Sequence, residues 1–150
     1  MLSNSDSGGL RVVEARGQRL WRTAHALNRK ARIEQYNSNT FCAHFFRVNS
    51  RDFTVYLLYK GDEAVGYAAW NLHEDGTPTL RQIYIKPEER RKGYGAHLLL
   101  ESKRLFSNDA PTFYVESPNY ATCCMLVKLG FAERDGNTVR GKNIYFVQGL

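Results

Sequence analysis

The chain has 150 residues, 43% of them hydrophobic and 24% charged, which points to one soluble globular domain and away from fibrous, disordered or membrane classes. No apolar run approaches the roughly 20 residues that a bilayer-spanning helix needs. A formal charge of +6 favours anionic partners such as nucleotide phosphates, nucleic acid or acidic surfaces, without choosing among them.

The first residues, "MLSNSDSGGL", are polar and lack the basic-then-apolar order of a secretory signal. Residues 1–9 are expected to form a disordered tail and residues 10–150 a single domain. Next, "LRVVE" reads as a short first strand. From about residue 17 to 36, Leu20, Ala24, Leu27 and Ala31 recur at spacings of four and three, the pattern of an amphipathic helix. Its other positions carry Arg16, Arg19, Arg22, Arg29, Lys30 and Arg32, with no acid until Glu34. A second short helix is expected in "NTFCAHFFRV", residues 39–48.

The period then changes. Residues 53–60, 64–73 and 79–86 read as three strands joined by the turns "GDE" and "EDGTP", an antiparallel meander. Pro87 stops the third strand, and a basic, glycine-containing stretch leads into a helix over residues 97–106, with Leu98, Leu99 and Leu105 on its buried face. "PTFYVE" is a strand. "NYATCCMLVKL" is a helix with Asn119 as its N-cap and Gly130 as its C-cap. "FAERDG" and "KNIYFVQ" close the chain as two strands about a "DGN" turn. The three cysteines, Cys42 and the pair Cys123-Cys124, lack framework or zinc-site spacing. They are expected as small buried residues in a reducing cytoplasm, with no metal bound.

The segment "PEERRKGYGAHLLLE" carries the chemistry. A strand, a cation-rich loop with two close glycines and a helix N-terminus together make an anion site. The first helical turn leaves N–H groups open, and glycine lets a phosphate approach them. Arg90 and Lys92 add charge. No Gly-Lys-Ser/Thr follows, which excludes a Walker A loop, and no third glycine completes a dinucleotide fingerprint.

The pattern Arg90-Arg91-Lys92-Gly93-Tyr94-Gly95, followed by Ala96, resembles the acetyl-CoA-binding motif of the GNAT-family N-acetyltransferases. "NYATCCMLVKLGF" resembles the family's later motif, with Asn119, Lys128, Gly130 and Phe131 on its positions. The resemblance covers roughly residues 53–146. It implies a GNAT fold of the α+β class, a mixed central β-sheet of about six to seven strands flanked by helices on both faces. It implies acetyl-CoA as cosubstrate, coenzyme A as product, and acetyl transfer to a primary amine by direct attack.

The resemblance also implies roles. Arg91, Lys92, Gly93, Tyr94, Gly95 and Ala96 would cradle the pyrophosphate, with Arg90 shaping the loop. Ile83, Tyr84 and Ile85 would splay from residues 113–115 and bind the pantetheine arm through their main chain. One N–H there would polarise the thioester carbonyl. Asn119 would reach the pantetheine. The family's frequent general acid, a Tyr two residues before the helix's Lys, stands here as Leu126, which leaves Tyr120 and Tyr84 as nearby candidates. Glu116 is the preferred base, ahead of His73 and Glu74.

The acceptor is expected to be a small-molecule or peptide amine, and the basic first helix would suit an acidic one, nucleic acid or aminoacyl-tRNA. A cytoplasmic homodimer without a membrane partner completes these expectations. The alternative is a non-catalytic acetyl-CoA-binding module that binds nucleic acid or a protein.

Overall fold

The computed structural model describes residues 9–38, 53–108, 110, 112–115, 120–131, 138–139, 142–143 and 147–148. For residues 35–38, 120, 121, 123 and those from 138 onward, it describes the backbone alone. Residues 1–8, the expected helix at 39–48, Cys42, Glu116 and Asn119 lie outside the described residues.

Strand β1 (Leu10–Glu14) leads through Gly17 into helix α1 (Gln18–Ser38). The meander follows as β2 (Thr54–Lys60), β3 (Glu63–Leu72) and β4 (Pro78–Ile85). A 3-10 turn (Pro87–Glu89) precedes α2 (Tyr94–Phe106), β5 (Thr112–Val115) and α3 (Tyr120–Lys128). Three two-residue strands end the chain: β6 (Thr138–Val139), β7 (Lys142–Asn143) and β8 (Val147–Gln148).

The main sheet runs β1-β2-β3-β4-β5-β8, and β6 pairs with β7 separately. All neighbours are antiparallel except β4 and β5, which are parallel, so the sheet is mixed. Five of its strands hold four or more residues, fewer than the six to seven expected in one sheet, because the C-terminal segment splits between two ladders. The hairpin register pairs Val139 with Lys142, which moves its turn past the expected "DGN".

The continuous apolar run of β2 is explained by burial on both faces. Val55 and Leu57 join Trp21, Ala24, Leu27 and Ala31 of α1 in one core. Tyr56 and Leu58 face the other way, in the core that holds Leu98, Leu99 and Leu126 of α2 and α3. Helices therefore cover both faces of the sheet.

Helix α2 departs from the sequence pattern in two places. It starts at Tyr94, three residues earlier than expected, with Gly95 in its first turn close to α3: a Cβ there would lie 3.3 Å from the Met125 sulfur. Its buried face holds Ser102 in place of Leu105, which is exposed. The Ser102 hydroxyl accepts a 2.8 Å bond from the Trp70 indole N–H, a buried donor that a leucine could not satisfy.

A buried polar group joins α1 to the sheet. Asn28 Nδ2 donates to the Tyr67 hydroxyl at 2.9 Å and to Gln82 Oε1 at 3.2 Å, and the Tyr67 hydroxyl donates to the same Gln82 oxygen. Desolvation pushes the Tyr67 phenol far up, so it stays protonated in this core. No helix of the described residues is long and apolar enough to cross a membrane.

Candidate active site

The loop after β4 is shaped by its own backbone. The Lys86 N–H bonds to Val65 O at 2.9 Å, and Pro87, which lacks an N–H, opens the 3-10 turn that closes with the Glu89 N–H on Lys86 O. Arg91 then takes a left-handed φ of 65°, rare outside glycine, and Gly93 follows at 84°. Two left-handed residues so close bend the chain into a concavity of the kind that gathers N–H groups around an anion.

Gly93 is also the N-cap of α2, so no side chain closes the helix end. The first ladder bond runs from the His97 N–H to Gly93 O at 3.2 Å. The N–H groups of Tyr94, Gly95 and Ala96 stand ahead of that ladder, at the positive end of the helix dipole. Their arrangement fits a phosphate or a diphosphate.

The cations around this cradle are less free than the sequence suggests. Arg90 donates from Nη1 and Nη2 to the two carboxylate oxygens of Glu34, at 2.7 and 2.8 Å, and from Nε to Ile85 O at 2.8 Å. Lys92 and Lys60 both bond to Glu89 Oε1, at 2.9 and 3.3 Å, and both ammonium groups lie 5.9 Å from the Tyr94 ring centre. The bond from Lys92 is the leading cause that holds the Glu89 carboxyl below its ordinary range, and Glu89 in turn raises Lys60. Arg91 makes no ion pair among the described residues.

The strand edge is equally local. Among the described residues, β4 and β5 pair through Thr79 with Tyr114 and Leu80 with Val115. Beyond Leu80, the β4 segment holding Ile83, Tyr84 and Ile85 keeps β3 as its neighbour and has no β5 partner among the described residues. Arg81 is the extra residue of a bulge, since Gln82 and Leu80 pair with the consecutive Ala69 and Trp70. Such a bulge redirects the strand just beyond its last described pair with β5. Ile83 and Ile85 pack with the α2–α3 core and Tyr84 with the α1 core.

Of the residues expected to do proton chemistry, Tyr120 opens α3, and its backbone alone is described. Tyr84 is on β4, and burial followed by the nearby Glu34 pushes its phenol up to about 12. His73 and Glu74 lie in the β3–β4 turn, at the far end of β4 from the glycine loop, roughly 20 Å along an extended strand. There the Tyr114 hydroxyl donates to Asp75 Oδ2 at 2.6 Å, and His73 Nδ1 lies 3.3 Å from Asp75 Oδ1. Leu126 is 3% exposed and belongs to the core. A cavity of about 640 Å³ reaches the bulge at Arg81, with Phe53, Trp70, Leu72 and Phe106 among its walls.

Sequence reasoning missed Glu34, Lys60, Glu89 and Gly66. Glu34 had a signal, being the first acid after a run of cations on α1. Gly66 had one too, as an isolated glycine inside a strand, which marks close backbone approach. Glu89 had one as well, three residues before Lys92, whereas Lys60 carried none, because only folding brings the β2 end beside the loop. Among the described residues, no cluster of three His, Cys, Asp or Glu side chains is placed to hold a metal.

The model of the acetyltransferase (GNAT) family matches residues 18–131. No curated protein matches the chain. Among solved structures, the chain is similar to the PaiA N-acetyltransferase from Thermoplasma acidophilum in complex with coenzyme A. That match has a TM-score of 0.66 at 16% identity, over 93% of this chain and 98% of the other. It is similar to Naa50 of Arabidopsis thaliana in complex with the bisubstrate analogue CoA-Ac-MVNAL, with a TM-score of 0.63 at 18% identity over 94% and 98% of the two chains. It is also similar to a mutant of the toxin AtaT bound to the C-terminus of the antitoxin AtaR, with a TM-score of 0.56 at 16% identity over 93% and 92%.

Proposed function

Since this chain belongs to the GNAT acetyltransferase family, we propose that residues 10–150 form an acetyl-CoA-dependent N-acetyltransferase domain acting on a primary amine. The observation that carries this reading is the cradle: Arg91 and Gly93 in left-handed conformations, opening onto an uncapped α2 N-terminus at the end of β4.

The cosubstrate supplies an acetyl thioester, and the protein's task is to hold it and manage protons. The backbone N–H groups of residues 91–96 bind the pyrophosphate. Arg91, the cation of the loop without an ion pair among the described residues, adds charge there. The main chain of Ile83, Tyr84 and Ile85 has no β5 partner among the described residues, which suits an extended arm docking like an added strand. An N–H of this stretch polarises the carbonyl that the amine attacks. Asn119 is assigned to the arm, Glu116 to the removal of the amine proton and Tyr120 to protonation of the leaving thiolate. Tyr84, held protonated well above neutral pH, is the second candidate donor.

Coenzyme A release measured over a panel of amines, polyamines, peptides and aminoacyl-tRNA tests the reading. Turnover on one acceptor, lost in Glu116→Gln, is the expected result. No turnover on any of them overturns it.

A second reading, a binding module that retains the coenzyme without turnover, is favoured by two observations. Leu126 is a buried core residue where relatives frequently carry the acid. Arg19, Arg22, Arg29 and Lys30 are exposed on α1 and make no ion pair among the described residues, which suits a polyanion. Coenzyme binding without turnover, together with salt-dependent RNA binding that falls when these four are changed to Gln, is the result that selects it.

A further inference from the structure

We propose that Glu34 is a positioning residue for the coenzyme loop, acting through Arg90; the proposal rests on the coenzyme-binding reading above. Glu34 lies late in α1, and its partner is 56 residues further along the chain. Its two oxygens accept from both terminal nitrogens of Arg90, and the third guanidinium nitrogen is committed to Ile85 O. The guanidinium also lies 5.6 Å from the Tyr84 ring centre, and the Tyr84 side chain hydrogen-bonds Glu34.

A single pair at the surface would be worth little. A planar fork that engages all three nitrogens, with a ring beside it, is the geometry in which such a pair holds one orientation. Arg90 is thereby fixed to the last carbonyl of β4 on one side and to α1 on the other. Its neighbour Arg91 begins the left-handed bend, so the entry to the cradle is anchored at one residue's remove.

This arrangement also gives Arg90 a different task from the one its sequence position suggests. A guanidinium whose three nitrogens serve protein acceptors orders the loop before any phosphate arrives. Without Glu34, the loop entry keeps one bond from Arg90 Nε, and coenzyme binding has to supply the missing order, which weakens affinity. In this role Glu34 holds the loop through Arg90, so its loss acts first on donor binding.

The experiment compares the full chain with Glu34→Gln, Arg90→Gln, the double variant, and Glu101→Gln as a control that breaks an exposed pair with Arg104 on α2. Coenzyme A affinity is measured by calorimetry, and amide hydrogen exchange of residues 86–96 is followed without coenzyme. Each single variant is expected to weaken coenzyme A binding about ten-fold, the double variant no further, and the control not at all. Loop exchange accelerates in the variants while the strands keep their protection. Unchanged affinity and unchanged loop exchange overturn the proposal, as does a loss of affinity accompanied by faster exchange across the whole sheet. If the wild-type chain fails to bind coenzyme A, the function proposed above falls, and loop exchange judges Glu34 by itself. Local acceleration in Glu34→Gln then sustains the positioning role, and unchanged exchange removes it.

Discussion

The backbone oxygen of Tyr84 occupies the space that a side chain on Gly66 would need: a Cβ there would stand 2.4 Å from that oxygen and 2.6 Å from Ile85 Cδ1. The missing side chain lets β3 lie against the end of β4 that leads into the glycine loop. Gly66→Ala is expected to force the two strands apart and to destabilise the fold by about 1–3 kcal/mol. Urea denaturation measures this, and a stability equal to that of the wild type counts against the contact.

Ser102 and Trp70 make the second prediction. Removing the hydroxyl strands a buried indole N–H, so Ser102→Ala should cost about 1–3 kcal/mol. Trp70→Phe in the same background removes the stranded donor. The double variant should then lose less than the two single losses added together, as read from a set of denaturation curves.

Asp75 and Tyr114 predict a pH dependence. The Tyr114 hydroxyl is the leading cause that holds the Asp75 carboxyl down at about 2, from an ordinary 3.8. A carboxyl with a depressed folded pKa stabilises the fold above its unfolded pKa, and that contribution is lost as pH falls through the folded value. Tyr114→Phe should therefore be less stable than wild type at neutral pH, by about 1 kcal/mol. The gap should close between about pH 4 and pH 2. Thermal unfolding of both proteins across that range shows it, and a gap that stays constant with pH excludes this pair as its source.

The two loop glycines should differ. Gly93 has a left-handed φ of 84° with open space around it, so any side chain is penalised by conformation and not by contact. Gly93→Ala is expected to cost about 1–2 kcal/mol, enough to weaken coenzyme A binding roughly ten-fold if it is lost from the bound loop. Gly93→Val, stiff at Cβ, should abolish binding. Gly95→Ala meets the flexible Met125 side chain at 3.3 Å and Ile85 Cγ1 at an ordinary 3.9 Å, and should bind coenzyme A nearly as wild type does. Calorimetry on the three variants ranks them, and equal affinities would remove the loop from the coenzyme site.

Much of this architecture was readable along the chain because it depends on near neighbours. The three-strand meander follows from short apolar, β-branched and aromatic runs bounded by glycine turns. The apolar face of α1 follows from spacings of three and four. The Arg-x-x-Gly-x-Gly stretch and the later Lys-x-Gly-Phe signalled the fold, and the match over residues 18–131 agrees with them. Where neighbours misled, a partner from elsewhere intervened. Leu105 has the spacing of a buried residue, yet Ser102 takes that place because Trp70, 32 positions away, needs an acceptor.

Sequence alone determined the strands of the meander and the helices that flank it, and pointed to an anion cradle ahead of α2, since backbone geometry and glycine placement are set within a few residues. Tertiary structure decided which charges that cradle keeps. Arg90 and Lys92 read as free cations along the chain, but Glu34 arrives from α1 and Glu89 is wedged between Lys92 and Lys60. Ion pairing acts through space over a few ångströms: Glu89 lies three residues from Lys92, but Glu34 of α1 and Lys60 at the end of β2 reach the loop only once the chain has folded.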